Sequence, residues 1–235
     1  MNNLFGLHSP FHNEDYGLTA AQREAVMDAI YTNGDHMMKR FHWVHAAIAL
    51  ALGAWYGTWL VTLLVTAAAL VAFQVSVMLV PKSFFTRVVC GITLQTFVAL
   101  HIYQMHGLAE MHFFFFSAFA MMIFYGDAAS MWPGTALIIL QHISFAILHN
   151  TGVQLYFFEQ PYVSVSKLFF HFSIAIGHVA ICGGWAILLR RRTLLDAAQR
   201  QQISESRAQL QEQLEITQRS KEALQETAAQ LLATQ

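Results

Sequence analysis

The sequence predicts an all-α membrane protein: a six-transmembrane helix bundle followed by a cytoplasmic parallel coiled-coil helix. Three observations carry that expectation. The 235 residues are 56% hydrophobic and only 11% charged, whereas soluble domains carry about 25% charged residues. Six apolar runs follow one another between residues 41 and 189. After Arg192 the composition turns abruptly to Gln, Glu, Ala and Leu in a seven-residue repeat, the pattern of a coiled-coil seam.

Met1–Gly17 reads as an irregular tail with His8 and His12; it lacks the basic start and apolar centre of a secretory signal. Thr19 and Gln22 fit a capping box, in which each side chain satisfies a free amide at a helix start. Ala25, Val26, Ala29 and Ile30 then recur at helical spacing, and Asn33-Gly34 reads as a break. The expectation is a short amphipathic helix on the membrane surface.

The apolar runs are Phe41–Trp55, Thr58–Val80, Phe84–Tyr103, Met111–Tyr125, Met131–His149 and Val165–Leu189. A span needs about 20 residues, so the first and fourth borrow flanking residues. Trp55, Tyr56, Trp59, Trp132, Tyr156 and Tyr162 sit at run ends, where aromatic belts belong. Lys39, Arg40, Lys82, Arg87 and Arg190–Arg192 mark one side, and the turns at 56–57, 104–110 and 150–162 carry no Lys or Arg. The positive-inside rule then puts both termini in the cytoplasm.

Ile203, Leu210, Thr217, Leu224 and Leu231 are spaced by seven, with Leu214 and Ala228 four residues after Leu210 and Leu224. The expected organisation is a tail and amphipathic helix over 1–39, a six-helix bundle over 40–192 and a coiled-coil helix over 193–235. The helix runs to Gln235 without a cap, so a missing output domain is expected beyond it. The seam predicts a homodimer. The net charge of -1 argues against a nucleic-acid partner, which would require a basic surface. Cys90 and Cys182 form no ligand pattern and read as small buried hydrophobes.

Twelve histidines are the unusual feature. Polar ionisable groups in a membrane cost free energy and mark function by default, and clustered imidazoles most often serve a metal. With the orientation above, His101, His112, His142 and His171 fall at similar depth toward the outer side. His106, Glu110 and His149 lie at the rim, and His178 lies about 10 Å below His171. These eight are the candidate ligands of copper, iron or zinc, with Glu110 bridging two ions or holding an imidazole N–H. Haem b between two facing histidines is the alternative. His42 and His45 sit at the cytoplasmic start of the first span, far from the cluster, and His36 reads as a surface residue.

The segments 52–59, 100–116 and 140–153 resemble a family of histidine-rich, six-span bacterial input modules found ahead of chemoreceptor, histidine-kinase and cyclic-di-GMP-synthesis outputs. The most specific element is H-x4-H-G-x2-E-x-H. The family pattern maps onto His101, Gln104, His106, Gly107, Glu110, His112 and His142. It departs at Tyr103 and Gln141, where the family usually carries histidine, and at Gly126-Asp127-Ala128, where it favours Asp-Trp. The resemblance implies sensing of a redox, gas or metal stimulus, with output by an attached or partner kinase, cyclase or chemoreceptor. No catalytic domain is visible in the chain. The competing expectation is a membrane metalloenzyme using the same histidines for oxygen or water chemistry.

Overall fold

The computed structural model describes residues 16–233; His8 and His12 lie outside them. Six helical segments follow one another: α1 (Ala20–Tyr56), α2 (Trp59–Leu79), α3 (Phe84–Gln104), a short fourth pass, α5 (Met131–Asn150) and α6 (Val165–Ala233). The fourth pass opens with a 3-10 turn (Ala109–His112), continues as α4 (Phe113–Met122) and closes with a second 3-10 turn (Ile123–Tyr125). No strand occurs among the described residues. Trp59–Leu79, Phe84–Gln104, Ala128–Asn150 and Val165–Gln230 are long and apolar enough to cross a membrane, and Ala109–Tyr125 is a shorter apolar helix.

The bundle is polar inside and apolar outside. Leu60, Leu64, Met78, Leu140, Ile147, Phe169 and Ile174 are exposed, whereas His42, His45, Thr62, Thr93, His101, Gln104 and His142 are buried. That inversion of the soluble rule suits a hydrocarbon surround, where each interior polar group needs a partner and each outward face needs none. α3 is the central helix, packed against α1, α2, α4 and α5. Gly91 and Gly134 let α3 and α5 approach closely, since a Cβ on Gly134 would stand 3.4 Å from the Gly91 backbone.

The capping box forms as expected: the Gln22 amide donates to Thr19 Oγ1 at 3.3 Å, and the Thr19 amide donates to Gln22 Oε1 at 2.8 Å. The expected break at Asn33-Gly34 does not occur. α1 runs unbroken for 37 residues, because Gly34 serves packing. A Cβ there would lie 2.5 Å from the Tyr125 ring, and Tyr125 Oη donates to Asp35 Oδ1 at 2.9 Å. Asp35 Oδ2 also accepts from the Lys82 amide at 2.9 Å. Beside it, Arg87 Nε donates to Asp127 Oδ2 at 2.8 Å and Arg87 Nη1 to the Lys82 carbonyl at 2.8 Å. This polar belt ties α1, the α2–α3 turn and the start of α5 at the end where α6 leaves the bundle.

α6 is one helix of 69 residues, roughly 100 Å long. Leu194 packs on Leu18 and Met27, so the first turns of α1 brace the root of a stalk. From 202 to 230 every residue is exposed. The seam positions Ile203, Leu210, Leu214 and Leu224 are 54–70% exposed. Cys90 and Cys182 are free and buried, and His36 is exposed, both as expected.

Candidate metal site between the fourth, fifth and sixth passes

The eight expected ligands separate into distinct environments. His112, His142 and His171 come together. Their ring centroids stand 5.8 Å (His112–His142), 5.6 Å (His112–His171) and 5.1 Å (His142–His171) apart. The 3-10 turn delivers His112 and α5 delivers His142, while His171 stands on α6, seven residues into it. They border a cavity of about 340 Å³ walled by Phe113, Phe116, Phe157, Phe158 and Val163, with Lys167, Glu159 and Gln160 on its rim side. That volume lies at the lower end for a small-ligand site.

His142 has one ring nitrogen held and the other free. Its Nδ1 faces the Ile138 carbonyl at 2.9 Å; a carbonyl only accepts, so the proton sits on Nδ1 and Nε2 carries the lone pair. That Nε2 is buried with no hydrogen-bond partner, as is His112 Nδ1. Buried polar atoms without partners are costly, on the order of 1–3 kcal/mol, and in a native site they call for an explanation. A backbone-anchored Nδ1–H with a free Nε2 is the arrangement metal-ligating histidines use.

The centroid spacing can be compared with that of imidazoles sharing one ion. A zinc–nitrogen bond of about 2.0–2.1 Å plus about 1.2 Å from nitrogen to ring centre places each centroid about 3.2 Å from the ion. Two such rings at the tetrahedral angle would have centroids about 5.2 Å apart, and at 120° about 5.5 Å. The observed 5.1–5.8 Å brackets both. The rings themselves now pack face and edge, with His142 and His171 stacked at 26°. Among the described residues no group of three or more His, Cys, Asp or Glu side chains is placed so that it could hold a metal ion as the rings now stand.

His101 lies elsewhere. Gln104 Nε2 donates to the Ala49 carbonyl and to Thr62 Oγ1, both at 2.7 Å, which leaves Gln104 Oε1 to accept from His101 Nδ1 at 3.4 Å. His101 Nε2 is then the acceptor for His45 Nδ1–H at 3.0 Å. The network thus fixes both tautomers and occupies both nitrogens of His101. The expectation that His42 and His45 sit far from the other histidines is corrected. Ala49 is level with Gln104, so α1 overshoots the end of α3 by seven residues, about 10 Å. His42 accordingly reaches mid-bundle, stacked on Phe73 at 4.1 Å and 2.7 Å from Thr93 Oγ1.

The remaining four are individually placed. His106 sits between the Tyr56 and Tyr156 rings at 5.6 and 5.0 Å. His149 Nε2 donates to the Gln160 carbonyl at 2.7 Å. His178 Nε2 faces the Phe116 carbonyl at 3.1 Å and Cys182 Sγ at 3.2 Å. Glu110 is exposed and does not border the cavity. The H-G of the sequence element is a turn: Gly107 has φ +84°, and a Cβ there would stand 2.8 Å from the Phe158 amide nitrogen. Only glycine admits that contact, which seats the 151–164 loop over the site. Glu159 and Gln160 escaped the sequence reading because no periodicity marks a folded-back loop.

Comparison with protein-family models, with curated proteins and with solved structures finds no match for this chain.

Proposed function

We propose that this chain is the membrane-embedded input part of a bacterial signalling receptor, in which His112, His142 and His171 hold one transition-metal ion and α6 carries the response. The observation behind the reading is the buried, unpartnered Nε2 of His142, on a ring 5.1 Å from that of His171, which stands on the helix that becomes the stalk. Three imidazoles at centroid spacings of 5.1–5.8 Å favour three- or four-coordinate zinc or copper over six-coordinate iron. No gap for a macrocycle separates the stacked His142 and His171, which disfavours haem b.

When bound, the ion supplies an occupancy or redox signal. The protein's part is positional. Ile138 fixes the His142 tautomer, the phenylalanines exclude water, and drawing His171 toward His142 shifts α6 against α5. Pairing of the Ile203–Leu224 seam with a second copy offers a few discrete packings through which such a shift is read. Both termini cytoplasmic, an inner-membrane location and a kinase, cyclase or chemoreceptor output belong to the same proposal, which the resemblance of 100–116 and 140–153 motivates.

A second reading, a membrane metalloenzyme, draws on the adjacent cavity and on the open coordination position three ligands leave. Metal titration of the purified chain tests the first. His142→Ala and His171→Ala abolish zinc and copper(I) binding, whereas His101→Ala and His178→Ala keep it. Equal binding by a variant lacking His112, His142 and His171 overturns the site. Oxygen- or water-consuming turnover by a chain lacking 193–235 decides for the enzyme.

A further inference from the structure

The stalk seam does not begin where the stalk begins. At 3.6 residues per turn each residue advances 100° around the helix. On that count Ile174, Gly177, Ile181, Gly184, Leu188 and Leu195 fall in one sector of about 100°, and all are exposed. Carried along the same unbroken helix, the stalk positions Ile203, Leu210, Leu214 and Leu224 fall in or within about 60° of that sector. The buried residues Val179, Cys182, Ala186 and Leu194 lie on the opposite side.

The spacing keeps the stripe straight. Ile174, Ile181, Leu188 and Leu195 are seven apart, and so are Ile203, Leu210, Thr217 and Leu224, but Leu195 to Ile203 is eight. A strict seven-residue repeat drifts about 20° per heptad on a straight helix. Three heptads accumulate about 60°, and the eight-residue step restores the starting azimuth.

We infer that this stripe is a self-association face, occupied by a second copy of this chain in parallel, from Ile174 through the stalk. The inference rests on the proposed dimeric stalk and extends its interface into the apolar part of α6. Lipid alone would account for exposed apolar residues before residue 190, but not for their registration with a seam that lies beyond them. Gly177 and Gly184 have nothing within 4 Å of a built Cβ, so no neighbour inside the chain calls for glycine there. A parallel neighbour does, because small residues let two backbones close. Arg192 and Asp196, both exposed on this face, present opposite charges one turn apart, and parallel copies bring Arg192 of one within reach of Asp196 of the other. Ile174 also borders the histidine cavity, so the second copy covers part of its mouth.

Disulfide cross-linking of the full chain in native membranes tests this, with single cysteines in a Cys90→Ala/Cys182→Ala background. Gly177→Cys, Ile181→Cys, Leu188→Cys and Leu210→Cys give severalfold more dimer than Ile176→Cys and Glu212→Cys, which face away. Gly184→Leu, added to Ile181→Cys, removes most of that signal. Cross-linking at Leu210 with none above control at Gly177, Ile181 and Leu188 overturns the membrane interface while leaving the stalk dimer standing. Absence at Leu210 as well overturns both.

Discussion

Asp127→Ala should be among the most damaging single substitutions in the bundle. Its carboxylate and the Arg87 guanidinium are 10% and 7% exposed and 2.8 Å apart. Removing one partner of a buried ion pair leaves an uncompensated charge and costs about 3–5 kcal/mol. Asp127 Oδ1 also accepts from the Ala129 amide at 3.1 Å, a cap worth about 1 kcal/mol, so the expected loss is about 4–6 kcal/mol. Arg87→Met should cost a similar amount, because it also forfeits the bond to the Lys82 carbonyl and the stacking of the guanidinium 4.0 Å over Tyr31. The Arg87→Met/Asp127→Ala pair should cost less than the sum of the two singles, since no charge is stranded. The assay is reversible unfolding in mixed micelles, with all four proteins combined as a double-mutant cycle. Singles that each lose under about 1 kcal/mol and add without coupling would refute the argument, showing that water screens the pair as it does at a surface.

Gln95 is buried in α3 and neither amide atom has a partner, so Gln95→Leu should raise stability by about 1–2 kcal/mol in the same unfolding assay. Gly107→Ala meets both a left-handed φ and the Phe158 backbone; it should lower stability by about 1–3 kcal/mol and weaken zinc binding, read by calorimetry, through displacement of Phe157 and Phe158. Gly34→Val should separate Tyr125 from α1, seen as loss of Tyr125 protection in near-ultraviolet circular dichroism, with far-ultraviolet helicity retained.

Much of the fold was legible because membrane helices announce themselves by composition. Expected runs such as Phe84–Tyr103 and Met131–His149 differ by a residue from α3 and α5, since nothing but length and apolarity defines them. The site was legible only in part. Depth along each helix follows from counting residues, which is why His112, His142 and His171 could be brought to one level. Azimuth and helix neighbours do not follow from counting, so His101, at the same level, could not be assigned to the opposite side of α3. The misreading at Asn33-Gly34 has the same origin. Local propensity treats Gly34 as a stop, while the Tyr125 ring that requires it lies 91 residues away in sequence.

The unbroken α1 gives the bundle a second rod beside α6. Its 37 residues, roughly 55 Å, run without a joint from Tyr56 at one rim, past His45, to Met27 against the base of the stalk at Leu194. The helix that holds His45 and the helix that holds His171 therefore come together at Leu194, away from both imidazole groups.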